Sequence, residues 1–88
     1  MIKITKVRHL TDCRLRVWFS DGMAGDHDFS SLVSESGPMI EPLRDRAFFA
    51  RAFVESGALA WPNGFDIAPA WLYDVMAAEG TLKTAAAA

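Results

Sequence analysis

Only one cysteine, Cys13, stands in these 88 residues, which excludes an intrachain disulfide and any cysteine zinc cluster and suits a reducing compartment. Histidine is nearly as scarce, with only His9 and His27; a metal site would need both to converge with a carboxylate, and no ligand spacing brings them together. Long apolar runs are missing too. Nothing approaches the roughly 18 residues that a membrane span requires, and the N-terminus, Met1-Ile2-Lys3-Ile4-Thr5-Lys6, alternates where a secretory leader would be continuously apolar. A cytoplasmic protein is therefore expected. The six glycines are scattered and make no phosphate-cradling loop, and Ser30, Ser31, Ser34 and Ser36 lack the strand-to-helix elbow of an acyl-transfer nucleophile. Neither a catalytic residue nor a cofactor is indicated.

What is present describes one compact domain, with 51% hydrophobic and 23% charged residues. A chain of this length folds alone with little stability in reserve. Its net charge of -2 hides a division, because Lys3, Lys6, Arg8, Arg14 and Arg16 against Asp12 give +4 in the first twenty residues and leave -6 on the other 68. An anionic partner for the N-terminal strands follows if those cations stay free. Strand register decides whether they do.

Residues 14 to 19 alternate, with Leu15, Val17 and Phe19 on one face and Arg14, Arg16 and Trp18 on the other, the period-two pattern of a half-buried strand. A two-residue loop at Asp21-Gly22 would set Val17 and Leu15 against Asp26 and Asp28 on the apolar face. A three-residue loop, Ser20-Asp21-Gly22 with the glycine left-handed, avoids this and pairs Phe19 with Met23, Val17 with Gly25 and Leu15 with His27. Arg16 then faces Asp26 and Arg14 faces Asp28, which neutralises two cations and leaves Lys3, Lys6 and Arg8, too few for a nucleic-acid footprint. Upstream, Ile2 and Ile4 share a phase that Lys6 interrupts, so a bulge is predicted near Thr5 or Lys6 in a first strand over residues 2 to 9.

Ser30 to Pro42 reads as a loop with one short turn at Leu32-Val33. Asp45 is a candidate N-cap for a short helix from Arg46 to about Arg51. A second hairpin follows, in which a Ser56-Gly57 loop sets Val54 against Leu59 and Ala52 against Trp61. Pro62 ends the pairing for want of a donor, Asn63-Gly64 supplies positive φ angles for a reversal, and Asp66 is placed to accept backbone hydrogen bonds around it. Pro69 suits the first turn of a last helix, whose inward stripe is read as Ile67, Trp71 and Val75 flanked by Leu72 and Met76, with Gly80 as its stop. The expectation is an α+β domain over residues 1–80, an antiparallel sheet of about five strands (a three-stranded meander, then a hairpin) with two short helices in the order βββαββα. Residues 81–88 are read as a tail.

The stretch Trp61-Pro62-Asn63-Gly64-Phe65-Asp66, with Pro69, Leu72 and Tyr73 behind it and Phe19-Ser20-Asp21-Gly22 ahead, resembles the signature of a small bacterial family of domains of unknown function, found alone or joined to a C-terminal helix-turn-helix. One departure is visible: Pro69 is bracketed by Ala68 and Ala70, where an acidic residue is common, so Asp66 is expected to take over the capping. Few residues follow Gly80, and sequence-specific DNA binding by this chain alone is not expected. The resemblance implies a gene neighbour encoding another small protein, an arrangement like that of a toxin and its antitoxin.

Asp26-His27-Asp28 sets an imidazole between two carboxylates, yet in a strand His27 points away from both, so no acid–base dyad forms and no enzymatic activity is expected. Trp18 among Arg14 and Arg16 has the composition of a protein interface; the alternative is that a helix covers that face and makes Trp18 core. The function indicated is a non-catalytic interaction module with a small protein partner, possible self-association through the first strand and, as the alternative, nucleic-acid binding through the same basic strand.

Overall fold

The computed structural model describes residues 1–85. Alternating residues with tight turns between them give three successive strands, β1 (Ile4–Thr11), β2 (Arg14–Phe19) and β3 (Met23–Asp28). The register of β2 and β3 is the expected one, with Arg16 opposite Asp26, Arg14 opposite Asp28, Val17 opposite Gly25 and Leu15 opposite His27. The turn between them works through two local devices. Gly22 takes a φ of 89°, which costs a residue without Cβ nothing, and the Asp21 carboxylate accepts the Met23 amide at 3.0 Å. A bulge between Ile4 and Lys6 shifts the phase of β1, also as the sequence predicts.

After β3 the chain makes a short helix α1 (Ser30–Val33), a 3₁₀ turn at Glu41–Arg44 and a second short helix α2 (Arg46–Phe49). Asp45 caps α2 by accepting the Ala47 amide at 3.0 Å. The Arg44 guanidinium holds the intervening loop by donating to the carbonyls of Val33 and Glu35 at 2.8 and 2.7 Å.

The single five-stranded sheet is not what forms. Strands β4 (Phe53–Glu55), β5 (Ala58–Ala60) and β6 (Asp66–Ile67) make a sheet of their own, while β7 (Lys83–Thr84) adds to the far side of β3, so the orders are β1-β2-β3-β7 and β4-β5-β6. Two-residue strands carry too few side chains to show a period, which is why β6 and β7 are illegible in the sequence. The N–H of Ile4 donates to the carbonyl of Gly57 at 2.8 Å, tying the β4–β5 turn to the start of β1. Val54 faces Leu59 across that hairpin as expected.

The turn from β5 to β6 repeats the design of the β2–β3 turn. Gly64 donates to the Trp61 carbonyl at 3.0 Å, Trp61 donates to the Phe65 carbonyl at 2.9 Å, and the Asn63 side chain accepts the Phe65 amide at 3.2 Å. Only Gly64 has a positive φ here, 91°, so Asn63 contributes its amide group and not a left-handed backbone. Behind the turn, Trp61 is buried and its indole N–H donates to the Phe49 carbonyl at 3.0 Å. Phe29, Phe49 and Phe65 pack around it with ring centroids 5.7 to 6.4 Å from its own, within the range of favourable aromatic pairs.

The last helix, α3 (Pro69–Glu79), starts on Pro69 and ends on left-handed Gly80, φ 73°. Gly80 donates to Ala77 and Thr81 to Met76 at 3.1 and 3.0 Å, the paired bonds of a Schellman stop. Its inward face differs from the expected one. Leu72 and Met76 are fully buried while Trp71 is 53% exposed, a rotation of about one residue, or roughly 100°. Tyr73 sets that rotation by packing edge-on against Phe19 at 5.0 Å and donating its hydroxyl to Asp21 at 2.6 Å. Beyond Gly80, Lys83 and Thr84 pair with Ala24 and Met23, and the Ala85 amide donates to Gly22 at 2.8 Å. Within the stretch read as a tail, residues 81–85 are thus built onto the sheet, and 86–88 lie outside the described residues.

Candidate interaction face

Residues directly opposite one another in a sheet share a face, so the β1–β2 register has a consequence for charge. Lys6 lies opposite Trp18 and Arg8 opposite Arg16, and the inner positions Leu15, Val17 and Phe19 are buried. The bulge that takes β1 out of phase therefore delivers Lys6 and Arg8 to the outer face, beside Arg14, Arg16 and Trp18. The sequence predicts the bulge but not the pairing of β1 with β2, and so leaves Lys6 and Arg8 as a separate remnant.

The two expected cross-strand ion pairs have different fates. Arg16 grips Asp26 with a fork, Nε to Oδ1 at 2.7 Å and Nη2 to Oδ2 at 3.1 Å, and this hydrogen bonding holds the Asp26 carboxyl below its ordinary range and raises the guanidinium. Arg14 faces Asp28 across the ladder but makes no ion pair with it. Asp28 instead accepts the Ser30 amide at 2.9 Å at the start of α1, and that bond is the largest cause of its lowered pKa. Arg14 is left exposed, with no ion-pair partner among the described residues.

Trp18 is not fully exposed. It is half-buried, with the Lys6 ammonium 4.8 Å from its ring centroid, a cation–π distance. The segment after α3 runs past the sheet edge and, with the outer residues of β2 and β3, encloses an open cleft of about 530 Å³ bordered by Arg14, Arg16, Trp18, Asp26, Thr81 and Lys83. Lys83 is a member that sequence reasoning missed, since nothing in the sequence marks a two-residue strand. The outer face thus gathers Lys6, Arg8, Arg14, Arg16 and Lys83 against Asp26 and Asp28.

A family model for proteins of unknown function, DUF2442, matches residues 4–75. The chain belongs to this family. No curated protein and no solved structure matches it. In this DUF2442 chain the matched span contains the floor of the cleft, while Lys83 on its border lies beyond it.

The residues singled out in the second half of the chain hold this DUF2442 fold together at several points. Trp61 and Leu72 are buried, Pro62 and Gly64 shape the β5–β6 turn, and Pro69 opens α3. Asn63 ties the turn to the preceding loop by donating to the Met39 carbonyl at 3.0 Å. Tyr73 and Asp21 join the two stretches that carried the resemblance. Asp66 does not take the tying or capping role expected of it. Its side chain is exposed and accepts no hydrogen bond among the described residues, Asn63 fills the turn instead, and the Ala68 N-cap of α3 has no side-chain bond.

The two histidines are apart in role as well as in sequence. His9 Nε2 lies 2.9 Å from the Asp12 carbonyl. His27 is buried against Phe29, ring centroids 4.6 Å apart, and its Nδ1 lies 3.0 Å from Glu79 Oε1. That contact is too far out of line to be a directed hydrogen bond. Among the described residues no three His, Cys, Asp or Glu side chains group as metal ligands would. Burial, then Asp28 and Asp12, push the Cys13 thiol up, which lowers its thiolate fraction at neutral pH. No helix among the described residues is long and apolar enough to cross a membrane.

Proposed function

We propose that this DUF2442 domain is a non-catalytic, cytoplasmic interaction module that binds a small protein partner, in the manner of an antitoxin, through the outer face of its β1-β2-β3-β7 sheet. The observation that carries the reading is the cleft itself, which has on its border both a half-buried tryptophan and Arg14, a guanidinium with no ion-pair partner among the described residues. Tryptophan and arginine are the residue types that dominate interface energetics when a partner desolvates them. The Arg16–Asp26 fork supports the reading from another side, because it fixes the cleft floor before any partner arrives.

A tagged pull-down from a lysate of the source cells tests this, with a Trp18→Ala, Arg14→Ala variant that keeps its circular dichroism run in parallel. One small protein recovered stoichiometrically with the wild type and lost with the variant is the expected result. Equal recovery by both would remove this face from the interaction.

Nucleic-acid binding is the second reading, favoured by the five cations that the register collects on one sheet face. Retention on single-stranded DNA that falls steeply between low and moderate salt distinguishes it, because phosphate contacts release counterions.

A further inference from the structure

We infer that the occupant of the cleft is an extended, acidic segment of the partner protein, whose carboxylates are held by Arg14 and Lys83 and whose apolar side chain rests against Trp18. The inference builds on the interaction-module reading and specifies the chemistry of what is bound.

Charge is the first argument. Of the charged groups bordering the cleft, Arg16 and Asp26 satisfy one another through two hydrogen bonds. Arg14 and Lys83 remain, both exposed, neither in an ion pair among the described residues, and both acting electrostatically on Asp26 between them. Two unsatisfied cations over a neutralised pair make a receptor for carboxylates.

Spacing gives the second argument. Arg14, Arg16 and Trp18 project from alternate positions of one strand, so they repeat every two residues, about 6.8 Å. An extended segment running along β2 presents its own alternate side chains at that interval, one acid to Arg14 and one apolar residue to Trp18 four positions away. A helix repeats the side chains of one face every three to four residues, about 4.5 to 6 Å, and so falls behind that interval over the same stretch. The cleft's volume of about 530 Å³ is in the range of pockets that hold a few side chains.

A single-stranded nucleic acid suits the cleft less well. The net charge of -2 opposes a polyanion at long range.

The test uses the full chain and three fluorescein-labelled probes read by anisotropy: the peptide Asp-Thr-Asp-Thr-Leu-Thr-Leu, its counterpart with lysine for aspartate, and a short oligo-dT. Saturable binding of the acidic peptide alone is expected. Arg14→Glu with Lys83→Glu should weaken it by roughly tenfold or more, as expected for lost charge contacts in a desolvated site. Arg51→Glu, at an exposed position after α2 and outside this sheet, should leave it nearly unchanged, which controls for general charge and for folding. Equal binding of the lysine peptide, preference for oligo-dT, or no binding of the acidic peptide each overturns the inference. The pull-down separates the two levels. If Trp18→Ala, Arg14→Ala releases a captured partner that excess acidic peptide does not displace, the interaction module stands and the acidic segment falls. If no partner is captured and no peptide binds, both fall.

Discussion

At the scale of single residues, the Tyr73–Asp21 contact and the space around Gly25 make the sharpest claims. Tyr73 donates to Asp21 at 2.6 Å; this bond, ahead of the one from Met23, holds the Asp21 carboxyl below its ordinary value and raises the phenol. A depressed carboxyl contributes stability above its unfolded value, about 3.9, and loses that contribution as pH falls through the folded value. Tyr73→Phe should therefore flatten the loss of stability below about pH 4, as measured by urea unfolding over a pH series; an unchanged acid slope would deny the linkage. At Gly25 a Cβ would stand 2.3 Å from the Thr81 carbonyl oxygen, a backbone atom that cannot step aside without moving the chain after α3. Gly25→Ala should cost about 1 to 3 kcal/mol by overpacking, seen as a lowered urea midpoint.

Elements are where the sequence pattern and the packing part company. The i, i+4 spacing in α3 admits two neighbouring stripes, one through Trp71 and Val75 and one through Leu72 and Met76, and size alone favours the tryptophan. Burial decides for the second stripe, because the hairpin tip offers Tyr73 both a ring and a carboxylate at that rotation. Leu72→Ala should therefore cost about 2 to 5 kcal/mol as a cavity in the core, while Trp71→Ala, with about half of its surface already in water, should cost less, about 1 kcal/mol. Thermal and urea unfolding of the two variants side by side checks the orientation, and a larger loss for Trp71 would reverse it.

For the whole molecule, charge is sorted by face as well as along the chain. The outer sheet face holds five cations and two acids, whereas a smaller cleft beside α3 is bordered by Asp28, Glu35 and Glu79 with the exposed Trp71. If carboxylates are what the outer cleft accepts, removing its own carboxylate should favour them. Asp26→Asn frees Arg16 from its fork and should tighten binding of the acidic peptide several-fold at low salt, with the gain shrinking as salt screens it. Anisotropy titrations at two ionic strengths read this directly, and weaker binding by a folded variant would count against a carboxylate-binding cleft.

Features that depend on near neighbours follow from the order of residues alone. The β2–β3 register followed from Gly22 and the alternation around it, the β1 bulge from Lys6 breaking a phase, the helix caps from Asp45, Pro69 and Gly80, and the β4–β5 hairpin from Ser56-Gly57. Each is settled within a few residues, where turn geometry and side-chain period act without help from the rest of the fold. The division into two sheets, the rotation of α3, the loss of the Arg14–Asp28 pair and the arrival of Lys83 at the cleft were decided only in the tertiary structure. Arg14 shows the reason most plainly. The register put Asp28 opposite it, but the amide of Ser30 lies closer along the chain and gives that carboxylate a directed, short hydrogen bond. Local satisfaction of a backbone donor left the guanidinium with no ion-pair partner among the described residues, and its place on a cleft shared with Trp18 is a property of the assembled sheet.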